Sequence, residues 1–318
     1  MKQKVSDYIA DRIAQWGIRD VFTVTGGGAM HMNDSFGHHP KLHCTYQHHE
    51  QACAMAAEAY ARMDNRMAAV CVTTGPGATN AITGVLGAWM DSIPIVPVVA
   101  SITKYAHMVI HPEDIRYHLE KALYMAATGR PGPVWLDLPL DVQGAIIETE
   151  SLRAYDPAEN PEQRPQEILQ ETIEKILDKI EESHRPVLSP GNGVRLAGAI
   201  REFHELVDVL GVPVVTGMSS VDALESAHPY FVGRSGGTGT RPGNFALQNS
   251  DVLLSIGNRQ GFAQTGFQYQ DWARESYTIL NDIDENELKK PNLHVSLPVV
   301  GDAGELIRGL LAEAKKRG

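Results

Sequence analysis

The chain has 318 residues, 43% hydrophobic and 21% charged, with 39 Asp and Glu against 28 Lys and Arg for a formal charge of -11. This composition excludes a disordered or fibrous chain, and the acidic balance repels phosphate backbones and anionic lipid, so neither nucleic acid nor membrane is an expected partner. Cys44, Cys53 and Cys71 lack CxxC spacing and read as reduced, buried thiols; no run reaches the roughly 18 apolar residues of a membrane span, and a cytoplasmic location is expected.

In chain order, the N-terminal MKQKVSDYIADRIAQWG reads as an amphipathic helix, with helical spacing from Val5 to Trp16 and a stop at Gly17. A short strand from Asp20 to Thr25 runs into Gly26-Gly27-Gly28, and Ala29 to Phe36 is helical again. A strand at 42–46, a helix at 50–63, the strand MAAVCVTT (67–74), a helix at 78–90 and a strand at 93–99 follow, then a helix at 112–127 and the strand PVWLDLP (133–139). Pro97 inside its strand requires an edge or terminal position. The proline- and charge-rich RAYDPAENPEQRP reads as a surface linker. Beyond it an amphipathic helix (165–182) leads into PVLSPGNGV, a helix through Leu210, VPVVTG, DVLLSIG, YTILNDID and a closing helix from Gly301. Alternating strands and helices with continuous apolar strands predict an α/β protein of two doubly wound, parallel-sheet (Rossmann-like) domains, each a three-layer αβα sandwich. The predicted boundaries are 1–152, a linker at 153–165, and 166–318.

In such sheets ligands collect at the carboxyl ends of the strands. TGGGAMH (25–31), HHEQ (48–51), TTGPGATN (73–80) and the turn after Val99 all fall there. Turn glycines alone explain part of that convergence. No GxGxxG or GxxxxGK[ST] is present, which disfavours a nicotinamide-dependent oxidoreductase. His48, His49 and Glu50 are sequence neighbours without the HExxH spacing that places two imidazoles on one helical face, so no metal site is predicted there. His38 and His39 read as a solvated loop.

Three stretches, YQHHEQACAMAAEAYAR, VCVTTGPGATNAITGVLGAWMDSIP and GRPGPVWLDLPLDVQ, together resemble the thiamine diphosphate dependent decarboxylases and carboligases that include acetolactate synthase. The likeness is closest to the acetolactate-synthase-like members associated with sugar biosynthesis, which carry a similar VTGGGAMH turn, and it continues through the linker into the second half. It implies that residues 1–152 form a pyrimidine-binding domain and 166–318 a central domain. It assigns Glu50 the catalytic task of hydrogen-bonding the pyrimidine ring nitrogen N1' and shuttling a proton, so that the amino group becomes an imine able to deprotonate the thiazolium, whose ring then serves as electron sink for a 2-keto acid losing carbon dioxide. Burial among Ala52, Ala54, Ala56 and Ala57 is expected to raise the Glu50 pKa and the helix N-terminus to lower it. The bland reading of Glu50 is a residue complementing the helix dipole. The resemblance places Thr73, Thr74, Gly75, Pro76 and Gly77 near the reactive carbons and Asn80 beside the pyrimidine. It also implies that Gly26, Gly27 and Gly28, with Ala29, cover the thiazolium side from a neighbouring subunit.

Two departures from the family pattern matter. The GDG motif and downstream asparagine that grip the diphosphate through magnesium have no counterpart, since Gly301-Asp302 is followed by alanine. The long crossover normally following SIPIVPVVAS, which opens with a glutamine, is replaced by Ser101 running into Ile102-Thr103. The expected function is therefore the N-terminal two-thirds of an enzyme acting on pyruvate or a similar 2-keto acid, silent alone and requiring a separate diphosphate-binding domain or chain for magnesium. A homodimer is expected. For the central domain, GNGVRLAG (191–198) and GRSGGTGTRPGN (233–244), with Arg195, Arg234 and Arg241, suit either the phosphates of FAD or ADP or ordinary turns in a spacer. A non-catalytic nucleotide-binding or assembly module stays open as an alternative, beside the oxidoreductase.

Overall fold

A computed structural model describes residues 2–91, 95–96, 103–161 and 166–318, apart from the side chains of Asp64, Ile95 and Val96. The expectations for Pro97, for the turn after Val99 and for the shortened crossover at 101–102 lie outside the described residues. The chain divides into two compact units, Met1–Arg164 and Pro165–Gly318.

The first unit runs β1 (Lys2–Lys4), α1 (Val5–Gln15), β2 (Asp20–Thr23), α2 (Met30–His38), β3 (His43–Tyr46), α3 (Glu50–Asp64) and β4 (Ala68–Cys71). It continues with α4 (Pro76–Met90), β5 (Ile95–Val96), β6 (Tyr105–Met108), α5 (Ile115–Ala127), β7 (Val134–Asp137), α6 (Leu140–Gly144) and β8 (Ile146–Glu148). Four strands form a parallel sheet in the order β3-β2-β4-β5, and β6 and β7 form a parallel pair. Both faces of the sheet are covered, as continuous apolar strands require. Val21 and Ala69 join one core with Ile9, Phe36 and Leu123, whereas Phe22 and Ala68 join another with Cys53, Ala57 and Ala88.

Three details depart from the sequence reading, the first being that the helix expected from Pro165 begins only at Gln170. Lys2–Lys4 is a strand, paired antiparallel with Ile146–Glu148, so the first helix begins only at Val5. Residues 153–161 are more than a bare linker, because Tyr155 is buried against Tyr117 and Tyr124.

The second unit runs α7 (Gln170–Glu181), β9 (Pro186–Pro190), α8 (Asn192–Leu196), α9 (Ile200–Leu210), β10 (Val214–Thr216), β11 (Phe231–Arg234) and α10 (Arg241–Gln248). Then come β12 (Val252–Ile256), α11 (Phe262–Thr265), β13 (Tyr277–Asp282), α12 (Glu285–Leu288), β14 (Leu297–Val300) and α13 (Ala303–Arg317). Its six parallel strands lie in the order β11-β10-β9-β12-β13-β14. Leu188, Leu254 and Ile279 face one core, and Val187, Leu253 and Leu280 the other. Among the described residues no helix is long and apolar enough to cross a membrane.

Candidate functional site

In the first unit the chain leaves β2 for β3 on one side, then returns to place β4 on the other. That reversal opens a crevice beyond the carboxyl ends of β2 and β4, the usual ligand position in an open parallel sheet. The loops bordering it are Gly26–Gly28 after β2 and Thr73–Gly77 after β4, with Glu50 following β3.

Helices α3 and α4 bring the third of these into range. A Cβ on Gly84 would stand 2.6 Å from Ala54 Cβ, and one on Gly87 would stand 2.9 Å from Glu58 Oε2. The pairs 54–84 and 58–87 advance in the same direction, so the helices run parallel and their N-termini lie side by side. Asn80 Nδ2 therefore reaches Glu50 Oε2 at 3.0 Å. Small residues make this approach possible, since Ala54, Ala57 and Ala81 are fully buried.

Glu50 is only partly buried, and its carboxyl lies below the usual carboxylate range. The Asn80 donor is the main cause, followed by the residue's own backbone N–H at the first turn of α3, and these outweigh desolvation. The expected rise from the alanine cluster does not prevail because Ala54 and Ala57 pack beneath the helix rather than around the carboxylate. Its charge instead adds to the burial that pushes the Cys53 thiol up to about 11, an inert position for a nucleophile. Cys71 is buried likewise, whereas Cys44 is half-buried rather than buried.

The threonine turn meets Glu50 at Gly77. A Cβ there would lie 2.7 Å from Thr73 Cγ2 and 3.1 Å from Glu50 Oε1, so the absence of a side chain leaves a small concavity between the two. Gly75, with φ 67° and ψ -126°, makes the sharp entry to α4 that a side chain would strain, and Pro76 starts the helix where a missing N–H costs nothing. Gly28 N donates to Thr73 Oγ1 at 3.2 Å, and a Cβ on Gly26 would meet Thr73 at 2.5 Å. Within one chain, Gly26, Gly28, Thr73, Thr74, Gly77, Glu50 and Asn80 thus form one continuous edge. Gly27 and Gly75 have open space where a Cβ would project.

Two contacts at this edge have no signature in the sequence. The Glu50–Asn80 bond spans 30 positions and depends on the parallel helix pair. His49, considered above for metal, is the N-cap of α3, its Nδ1 accepting from Gln51 N at 3.1 Å. Among the described residues no group of three His, Cys, Asp or Glu side chains is placed to hold a metal. His39 is tucked against Asp11, with Nε2 3.2 Å from Oδ1, rather than lying in a solvated loop.

A carboxylate whose Oε2 is held by Asn80 can accept through Oε1 from a protonated ring nitrogen or an amino group, and an aminopyrimidine offers both. The second unit differs at the equivalent place. Its reversal lies between β9 and β12, where Gly191 N donates to Ile256 O at 2.8 Å and Gly193 N to Gly257 O at 2.9 Å. A Cβ on Gly191 would lie 2.2 Å from Gly257 O, so these glycines serve backbone packing. In the 233–244 loop Gly236 N donates to Asn244 Oδ1 at 2.8 Å and Gly237 N to Ala263 O at 3.0 Å. Arg195 pairs with Asp222, and Arg241 lies over the Phe245 ring. Amides committed in this way do not fit a phosphate cradle for FAD or ADP.

Two family descriptions match the chain: "Thiamine pyrophosphate enzyme, N-terminal TPP binding domain" over residues 3–127 and "Thiamine pyrophosphate enzyme, central domain" over residues 173–310. A probable acetolactate synthase large subunit of Methanocaldococcus jannaschii is 34% identical over 340 aligned positions, covering 97% of this chain and 56% of the relative. The acetolactate synthase large subunit of Corynebacterium glutamicum is 33% identical, with 93% and 50% covered, and the isozyme 3 large subunit of Escherichia coli is 28% identical, with 96% and 57% covered. The chain spans about half the length of the curated relatives it matches.

Proposed function

The chain belongs to the thiamine pyrophosphate enzyme family, and from that premise we propose that it supplies the pyrimidine-binding and central parts of a cytoplasmic acetolactate-synthase-like decarboxylase or carboligase acting on pyruvate or a related 2-keto acid. The observation that carries this reading is the meeting of Glu50, Asn80, Gly77 and Thr73 at one crevice. Thiamine diphosphate, when bound, supplies the nucleophilic carbon and electron sink that such a reaction needs. Glu50 holds and returns a proton at the pyrimidine nitrogen, and Asn80 fixes the carboxylate by occupying Oε2. Gly77, lacking a Cβ, lets the Thr73 side chain approach Glu50, while the Gly26–Gly28 loop closes the neighbouring edge.

We place the diphosphate and magnesium grip in a part of the relatives' length that this chain does not span, in the same polypeptide or a separate one. Most affinity for a doubly charged diphosphate comes from that grip, so binding by residues 1–318 alone is weak. Met55, Met63, Leu86 and Met90 are exposed apolar side chains on α3 and α4, which supports the pairing of two copies through this face. The second unit acts as a spacer.

Calorimetric titration of the chain with thiamine diphosphate and magnesium tests the division of the site. Weak heat is expected, with activity restored once a diphosphate-gripping domain is added; tight stoichiometric binding to the chain alone contradicts the division. A non-catalytic assembly module would tolerate Glu50→Gln in the restored system, whereas the proposed half-site loses its activity.

A further inference from the structure

The Asp141-Val142-Gln143 segment, part of the stretch that carries the family resemblance, has no task in the reading above. Gln143 lies on α6 and is 2% exposed. Its Nε2 donates to two carbonyls, Leu138 O at 2.7 Å and Gly28 O at 2.9 Å. Two acceptors at one end of the amide fix that end as nitrogen. Oε1 is then buried without a partner among the described residues. An unpaired buried oxygen is destabilising, and a methionine of the same shape would avoid it. The amide is therefore justified by what its nitrogen holds.

What it holds is the loop at the crevice. Gly28 accepts from Gln143 through its carbonyl and donates through its N–H to Thr73 Oγ1. Thr73 in turn bounds the concavity at Gly77 that Glu50 Oε1 borders. The same two segments meet again where the His31 ring covers Gly144, a Cβ on which would lie 2.9 Å from Nε2. We propose that Gln143 is a positioning residue that clamps the Gly26–Gly28 loop onto the Thr73–Thr74 turn and so fixes the threonine beside Glu50. The clamp is read from the structure alone; its consequence for cofactor rests on the function proposed above.

Hydrogen exchange by mass spectrometry on the full chain tests it, using Gln143→Met, which keeps the shape and loses the donors, and Gln143→Glu, which turns donors into acceptors facing two carbonyl oxygens. Exchange across residues 24–31 should rise roughly tenfold in the first variant and more in the second, with residues 166–318 unchanged. In parallel, the response of residues 24–31 and 73–80 to thiamine diphosphate with magnesium should weaken in both. Unchanged exchange at 24–31, a rise spread evenly over residues 2–161, or failure of both variants to fold would each overturn the proposal. Local loosening in the variants, with no response of the wild-type chain to thiamine diphosphate, would leave the clamp standing and remove the ring-site reading.

Discussion

Both units are parallel sheets with a reversal of strand order, yet the glycines at the two reversals are packed against different partners. At the reversal between β2 and β4, Gly27 and Gly75 face open space, while Gly26, Gly28 and Gly77 are packed against the Thr73 and Thr74 side chains beside a carboxylate with one oxygen held by Asn80. At the reversal between β9 and β12, the glycines are pressed against each other and their amides bond within the chain. A glycine-rich loop at a strand end is thus compatible with opposite outcomes. The deciding quantity is what a Cβ would meet there: backbone in the second unit, side-chain tips or nothing in the first.

The largest expected effect falls on the open crevice. Glu50→Gln should lower the rate of the restored enzyme by about 10²–10⁴-fold, the range for losing a positioned proton shuttle, while thermal unfolding of the chain stays within error. Retained activity in a steady-state assay would place the chemistry elsewhere. On the closed side, Gly191→Ala forces a Cβ to within 2.2 Å of Gly257 O and 2.4 Å of Asn258 Cα, where neither backbone can yield cheaply. Urea denaturation should show a loss of about 1–3 kcal/mol confined to the second unit.

Acid should separate the two units as well. His118 packs its ring 3.6 Å from that of His107, and its Nδ1 lies 2.6 Å from the Tyr105 hydroxyl. Burial first, then His107, lowers its pKa from 6.5 to about 4; Asp114 opposes this, and Lys121 and Arg153 add to it. The unfolded chain therefore binds a proton that the folded one refuses, and stability is lost as pH falls from about 6.5 towards 4. The partly exposed ring limits the loss to about 1 kcal/mol.

In the second unit burial raises the Asp251 pKa, but Ser183 and the amides of His184 and Arg185 outweigh it and bring it to about 2. Its contribution persists above 3.8 and is lost only as pH falls through about 2. Exchange measured at pH 7, 5 and 3 should show the first unit softening before the second; simultaneous softening breaks the contrast. Gly77→Ala brings a Cβ to 2.7 Å from Thr73 Cγ2, a side chain already held by the Gly26–Gly28 loop, so the threonine must shift. Unfolding should move by about 1 kcal/mol, while the response to an aminopyrimidine disappears.

The layer order was legible because buried parallel strands such as AAVC and VLLSI are apolar, but for Ser255, and alternate with helical periods. Strands at the margins were not. Phe231–Arg234 and Leu297–Val300 are the two edges of the six-stranded sheet, short and carrying Gly233 and Pro298, residues tolerated where one side of the ladder is unpaired. Lys2–Lys4 is charged and reads as a strand only through its partner. Within the site, Glu50, Asn80, the glycines and the threonines could be named in advance because family-like stretches carried them. Their mutual geometry could not, since it arises from the parallel pairing of α3 and α4. Gln143 shows the same limit: its two acceptors are 115 and 5 positions away.

The account is tested most directly by NMR titration of the isotope-labelled chain with thiamine to concentrations on the order of millimolar, as suits a half-site. Shifts are predicted at Glu50, at the amides of residues 26–28 and at those of residues 73–80 other than Pro76. Silence at those positions, or shifts centred on 191–193 and 257–260, would contradict the assignment of the open crevice to the pyrimidine ring.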